Sequence, residues 1–141
     1  MKIASIVSGK KVATISPSAS IYDLVSLLET HHIGALVVSP DGKKIEGIVS
    51  ERDVVRAMPG KMNELSSLHV RDLMTVGVLT CTVEQTVSEI LTLMTENRVR
   101  HIPVVDSSGE LHSIVSIGDL VKSHISELDS ERAALRDYIT H

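Results

Sequence analysis

The chain repeats itself. Asp53 recurs as Asp119, an offset of 66, and at that offset VATISPSASIYDLVSLLETHHIGALVVSPDGKKIEGIVSERDVVRA aligns without a gap to VLTCTVEQTVSEILTLMTENRVRHIPVVDSSGELHSIVSIGDLVKS. Val12, Thr14, Leu27, Val38, Ile48, Val49, Ser50 and Val55 return as Val78, Thr80, Leu93, Val104, Ile114, Val115, Ser116 and Val121. A register kept that long is a duplication, and it confines the chain to two similar units that share burial. The pairing reaches back to Ala4 and Val70. The reading is therefore a first repeat over residues 4–57, a connector over 58–69 broken by Pro59 and Gly60, a second repeat over 70–125, and a tail over 126–141.

Within each repeat the periodicity changes in the same order. Ile21, Leu24, Val25 and Leu28 have helical spacing, as do Val87, Ile90, Leu91 and Met94. Ser20-x-x-Asp23 and Thr86-x-x-Glu89 stand where a capping box would start each helix. Two β-branched runs follow, separated by the turns SPDGK and DSSGE, and then a second short helix, over 51–58 or 117–125. Each repeat thus reads β-α-β-β-α, an α/β fold with pseudo-two-fold symmetry, in which the two sheets can pack through their helices. The tail SELDSERAALRDYITH carries Leu128, Leu135 and Tyr138 near heptad spacing and reads as a C-terminal helix that caps the module or meets a partner chain.

Composition excludes several classes of function. Acids outnumber bases 18 to 14, and with no Trp or Phe and only two Tyr the chain lacks both the positive charge and the stacking faces of a nucleic-acid binder. Cys81 is the only cysteine, so neither an internal disulfide nor a cysteine-based zinc site can form. No segment reads as a signal peptide or a bilayer span, and the expectation is a soluble, cytoplasmic protein with no membrane partner. His31-His32 invites a metal reading, but adjacent residues converge poorly on one ion and no HExxH accompanies them; no metal site is expected. Neither a GxSxG elbow nor a P-loop is present, and Cys81 matches Ile15 of the first repeat, a core filler. No catalytic residue is expected.

The second half, VRDLMTVGVLTCTVEQTVSEILTLMTENRVRHIPVVDSSGELHSIVSIGDL, resembles the cystathionine-β-synthase (CBS) repeat, and the first half follows it more loosely. Two such repeats form a Bateman module, whose two clefts often bind adenosine derivatives such as AMP, ADP, ATP, S-adenosylmethionine or NADH. The resemblance implies a regulatory module with an adenine nucleotide as ligand, no required cofactor and no enzymatic activity. The family signature, Gly-hydrophobic-hydrophobic-Ser/Thr-x-x-Asp, occurs as GIVSERD (Gly47 to Asp53) and as SIVSIGD (Ser113 to Asp119), which departs at its first position.

In that family the Asp accepts from the ribose hydroxyls, and an ionised carboxylate suits two such donors. The helix start beside the Ser offers free N–H groups to an anion. The same Ser-x-x-Asp spacing also fits a simple helix cap. By the resemblance, one cleft uses Ser50, Arg52 and Asp53 against Val78 and Leu79 as adenine walls, with Val99, Arg100 and His101 nearby. The opposite cleft uses Ser116, Gly118 and Asp119 against Ala13, Ile33 and Gly34, without a base from that segment. Phosphate-bearing ligands are therefore expected in the Asp53 cleft, where Arg offers bidentate contact. The resemblance also implies a homodimer, since paired modules often form a flat disk, and a regulated protein on a separate chain. The alternative reading is a ligand-free homodimeric scaffold.

Overall fold

The computed structural model describes residues 1–7 and 12–140. In the first repeat, β1 (Thr14–Ile15), α1 (Ile21–His31), β2 (Ala35–Val38), β3 (Gly47–Ser50) and α2 (Glu51–Ala57) follow in the expected order. β2 lies between a parallel β1 (Thr14 opposite Val37) and an antiparallel β3 (Ala35 opposite Ser50). After a short helix α3 (Val70–Leu73), the second repeat gives α4 (Val87–Asn97), β4 (His101–Val105), β5 (Leu111–Ser116) and α5 (Ile117–Thr140).

Two elements differ from the expected pattern. The leading strand of the second repeat shrinks to one parallel bridge, Cys81 to Val104, with the Cys81 N–H donating to the Pro103 carbonyl and the Val105 N–H to the Cys81 carbonyl. Pro103 has no N–H with which to donate the next rung towards Leu79, so the ladder stops there. The second correction concerns the helix over 117–125 and the tail, which are one continuous helix to Thr140 because no Gly or Pro interrupts the sequence between them. His141 lies outside the described residues.

The duplication persists in individual hydrogen bonds. Ser39 N–H to Ile15 O is matched by Val105 N–H to Cys81 O, Ile33 N–H to Leu28 O by Val99 N–H to Met94 O, and Glu51 N–H to Gly34 O by Ile117 N–H to Arg100 O. The hydroxyl half of each predicted cap forms: Ser20 accepts from the Asp23 N–H and Thr86 from the Glu89 N–H. Both α1 and α4 end on a residue in the left-handed region, His32 (φ 52°) and Arg98 (φ 55°).

Each core is completed by the other repeat's leading segment. Ile3 and Val7 are buried among Val87, Ile90, Met94, Ile102, Val115 and Leu120 of the second repeat. Val70 is buried among Leu24, Leu28, Leu36, Val49 and Val54 of the first. Backbone bonds hold both exchanges, Ile3 N–H to Gln85 O on one side and Val70 N–H to Ala19 O on the other. The main contacts joining the repeats run through these segments, and α1 and α2 do not pack broadly on α4 and α5, which corrects the expectation of packing through the helices.

The exchange also explains Gly47. Ile48 and Thr75 pair across the repeats through reciprocal backbone bonds. A Cβ on Gly47 would fall 2.8 Å from both the Thr75 carbonyl oxygen and the Met74 sulfur, so only glycine admits this approach. The first position of the signature is thus fixed by packing between repeats; at the equivalent place Ser113 is buried.

Candidate functional site

The loop after α4 comes close to the start of α2, and a cleft of about 280 Å³ opens between them. Ser50, Arg52, Asp53 and Arg56 line it from the first repeat, and Arg98, Val99, Arg100 and His101 from the second. Its volume is near the lower edge of the range for small-molecule sites, roughly 300–1,000 Å³.

Ser50 and Asp53 form a complete capping box, which the predicted Thr86–Glu89 pair does not. The Ser50 backbone N–H donates to Asp53 Oδ2 at 2.8 Å and its hydroxyl to the same oxygen at 3.0 Å, while the Ser50 oxygen accepts from the Asp53 N–H at 3.4 Å. The helix-cap reading holds, and it leaves one carboxylate oxygen unengaged. Oδ2 is committed to the cap, which fixes the carboxylate, and among the described residues Oδ1 accepts no hydrogen bond. At the equivalent place the Ser116 hydroxyl donates to Asp119 Oδ2 at 2.9 Å.

The electrostatics are set by arginine. Arg52, Arg56, Arg98 and Arg100 share this one cleft with the carboxylates of Glu51 and Asp53, so a surplus of positive charge collects on a chain whose net charge is −4. Among the described residues the ion pairs are Met1–Glu127, Lys2–Glu84 and His69–Asp72, none of which involves these arginines. A cluster of unpaired guanidinium groups raises the local concentration of anions and can grip phosphate bidentately.

Arg98 has a further peculiarity. It occupies the left-handed position that closes α4, where a side chain costs about 1 kcal/mol relative to glycine. His32 holds the equivalent position after α1.

His101 opens β4 at the base of the cleft. Burial lowers its pKa from the ordinary value; Asp119 and Glu51 pull the other way, and Arg100 adds to the lowering. The unfolded chain therefore takes up this proton first, and stability held above pH about 6.5 declines as pH falls from there towards the folded-state pKa. The expected result is that wild type loses more stability than His101→Gln in thermal melts on acidification below pH about 6.5. Parallel curves would contradict it. Burial pushes the Cys81 thiol up to about 11, as suits a core filler.

The structure brings together Ser50, Arg52, Asp53, Val99, Arg100 and His101. It places Val78 and Leu79 elsewhere. Val78 lines a separate recess of about 510 Å³ beside Lys43, Lys44 and the 108–110 turn, and Leu79 is 39% exposed where the strand ladder has stopped. Gly34 joins the Asp53 cleft rather than the Asp119 one, Ile33 lies on a neighbouring groove with Val25 and Val55, and Ala13 packs against the first core. Asp119 lines a recess of about 410 Å³ with Met1, Ser5, Ile6 and Lys122; Ser116 and Gly118 are not among its lining residues.

Arg56, Arg98 and Thr75 are cleft residues that the site reading lacked. Arg56 had a signal, since it follows Arg52 by one helical turn. Thr75 had none, because its place depends on the cross-repeat bridge to Ile48.

A family model for the CBS domain matches residues 3–60 and 70–125. The chain is 38% identical over 124 residues to the mitochondrial CBS domain-containing protein CBSX3 of Arabidopsis thaliana; the match takes in 85% of the chain and 60% of that protein's length. Its fold is similar to the crystal structure of the CBS-domain protein ATU1752 from Agrobacterium tumefaciens, with a TM-score of 0.82, 34% identity, and coverage of 88% of this chain and 99% of that one. It is also similar to CBSX2 from Arabidopsis thaliana in complex with AMP, with a TM-score of 0.75, 25% identity, and coverage of 89% and 96%. No helix among the described residues is long and apolar enough to cross a membrane.

Proposed function

The chain belongs to the CBS-domain family, and from that premise we propose that it is a regulatory module that binds an adenine nucleotide in the Asp53 cleft and senses it without converting it. One observation carries the reading: a carboxylate oxygen held ready by a helix cap and four unpaired arginines converge on the same small cleft. Asp53 Oδ1 accepts a ribose hydroxyl, and the arginines take the phosphates. The AMP complex of CBSX2 supports the choice of an adenine nucleotide.

Within the adenosine compounds, the charge pattern favours AMP, ADP and ATP. S-adenosylmethionine carries a positive sulfonium towards four guanidinium groups, and a dinucleotide such as NADH needs more room than about 280 Å³. The set of groups serves to hold charge, and no pair of them is arranged as nucleophile and base.

Because Ser50 to Arg56 come from one repeat and Arg98 to His101 from the other, an occupant ties the halves together. It biases their relative position in proportion to its differential affinity for the two arrangements. That is the signal a regulated partner reads.

Affinity is expected to rise from adenosine through AMP to ADP and to weaken with added salt, as screened exposed charges must. Arg98→Gly is expected to melt higher than wild type, by about 1 kcal/mol of relieved strain, while binding ADP more weakly by roughly tenfold, the worth of one charge-assisted contact. Titration calorimetry of both proteins checks it. Equal affinity for adenosine and ADP would remove the phosphate reading.

A further inference from the structure

The last part of α5 is exposed along its whole length. Ser123, His124 and Glu127 are still partly covered, but residues 128–140 are all exposed, so about 20 Å of helix stands off the body at 1.5 Å per residue. A lone helix of that length is marginal in water, and most helical stability comes from packing an apolar face. This segment has such a face. Val121, Ile125, Leu128, Leu135 and Ile139 are 41%, 54%, 51%, 60% and 74% exposed, and with Arg132 they keep an unbroken alternation of four- and three-residue steps. That is one seam at coiled-coil spacing. Tyr138, 83% exposed, flanks the seam, and Ser126, Ser130, Ala133 and Asp137 occupy the outer side.

We propose that this stripe pairs with the same stripe of a second copy of the chain as a parallel, in-register, two-stranded coiled coil. Charge complementarity selects the partner and the direction. In the parallel register Glu131 flanks the seam opposite the second copy's Arg136, a pair of opposite sign, and His124 lies opposite its Asp129, to which a ring N–H can donate. Arg132, the single polar seam residue, faces the second copy's Arg132 in this register, a like-charge contact offset by the second copy's Glu131 beside it. An antiparallel pairing that used the whole stripe would set Asp129 against Asp129, Glu131 against Glu131 and Lys122 against Arg136. One charged seam position among apolar ones costs stability but fixes register and strand number. The pairing does not depend on nucleotide binding.

Arg132→Cys in the full chain tests it, because Cys81 is buried and leaves position 132 as the only accessible thiol. In glutathione buffer the Arg132→Cys protein is expected to form a covalent dimer on denaturing gels. Adding Leu128→Glu and Leu135→Glu, both at exposed positions that the fold does not need, is expected to abolish the cross-link while circular dichroism of the body persists. Glu131→Arg is expected to slow cross-linking, and Glu131→Arg with Arg136→Glu to restore it. No covalent dimer from the Arg132→Cys protein, or a cross-link indifferent to the stripe substitutions, overturns the proposal.

Discussion

Replacing Asp53 with alanine is expected to remove most of the stabilisation that an adenine nucleotide gives this protein. The carboxylate has two employments that the substitution separates. Oδ2 closes the capping box with Ser50, so the ligand-free variant loses about 1 kcal/mol. Oδ1 is the acceptor assigned to the ribose, and a hydrogen bond to a charged group is worth about 1.5–3 kcal/mol, or roughly a 10- to 100-fold loss of affinity. At 100 times its dissociation constant a ligand adds about 2.7 kcal/mol; after a roughly 30-fold loss the same concentration adds only about 0.9 kcal/mol. Asp119→Ala is the matched control, because Asp119 also accepts from its serine and would lose a similar cap. Thermal melts with AMP or ADP should show the ligand shift shrinking for Asp53→Ala and surviving for Asp119→Ala. Equal shrinkage in both would mean that the substitution acts through the fold alone.

The second large effect is expected at Ile3, far from the cleft and near the start of the chain. Ile3 is fully buried in the core of the second repeat, and truncating such a residue to alanine costs about 2–5 kcal/mol. For a domain whose total stability is about 5–15 kcal/mol, that is a substantial share. Because Val70 makes the reciprocal insertion into the first core, the two repeats should unfold together in a single urea transition, displaced as a whole by Ile3→Ala. Amide exchange should accelerate in α4, β4 and β5, elements to which Ile3 belongs by packing and not by sequence. A loss below about 1 kcal/mol, or acceleration confined to residues 1–7, would contradict the exchanged-core description.

The sequence carried the repeat order because its signals are local. Ile21, Leu24 and Leu28 announce a helix, Ser20 caps it, and the offset that maps Asp53 to Asp119 maps the hydrogen bonds of one half onto the other. What it did not carry depends on which half a segment joins. The segments around Ala4 and Val70 are recognisable as equivalents, yet nothing in the side chains of Ile3 and Val70 says that each completes the opposite core, since an apolar residue fits either one. The same non-local choice hid Thr75 from the cleft and Gly47 from its packing role, both settled by the bridge between Ile48 and Thr75. Val78 and Leu79 were expected as adenine walls by resemblance; Val78 lines the recess beside Lys43 and the 108–110 turn, and Leu79 lies partly exposed ahead of the single bridge at Cys81. The absence of a breaker after Ile125 was readable in the sequence, and the division of α5 into two helices went against it.

The most direct test of nucleotide sensing at the Asp53 cleft is an amide NMR titration of the unaltered chain with ADP. The account predicts saturable shifts concentrated at residues 50–53, 56 and 98–101, on both repeats at once, because the cleft is built from both. Shifts confined to the recess between Lys43, Val78 and Gly109, or none at millimolar ADP, would contradict it.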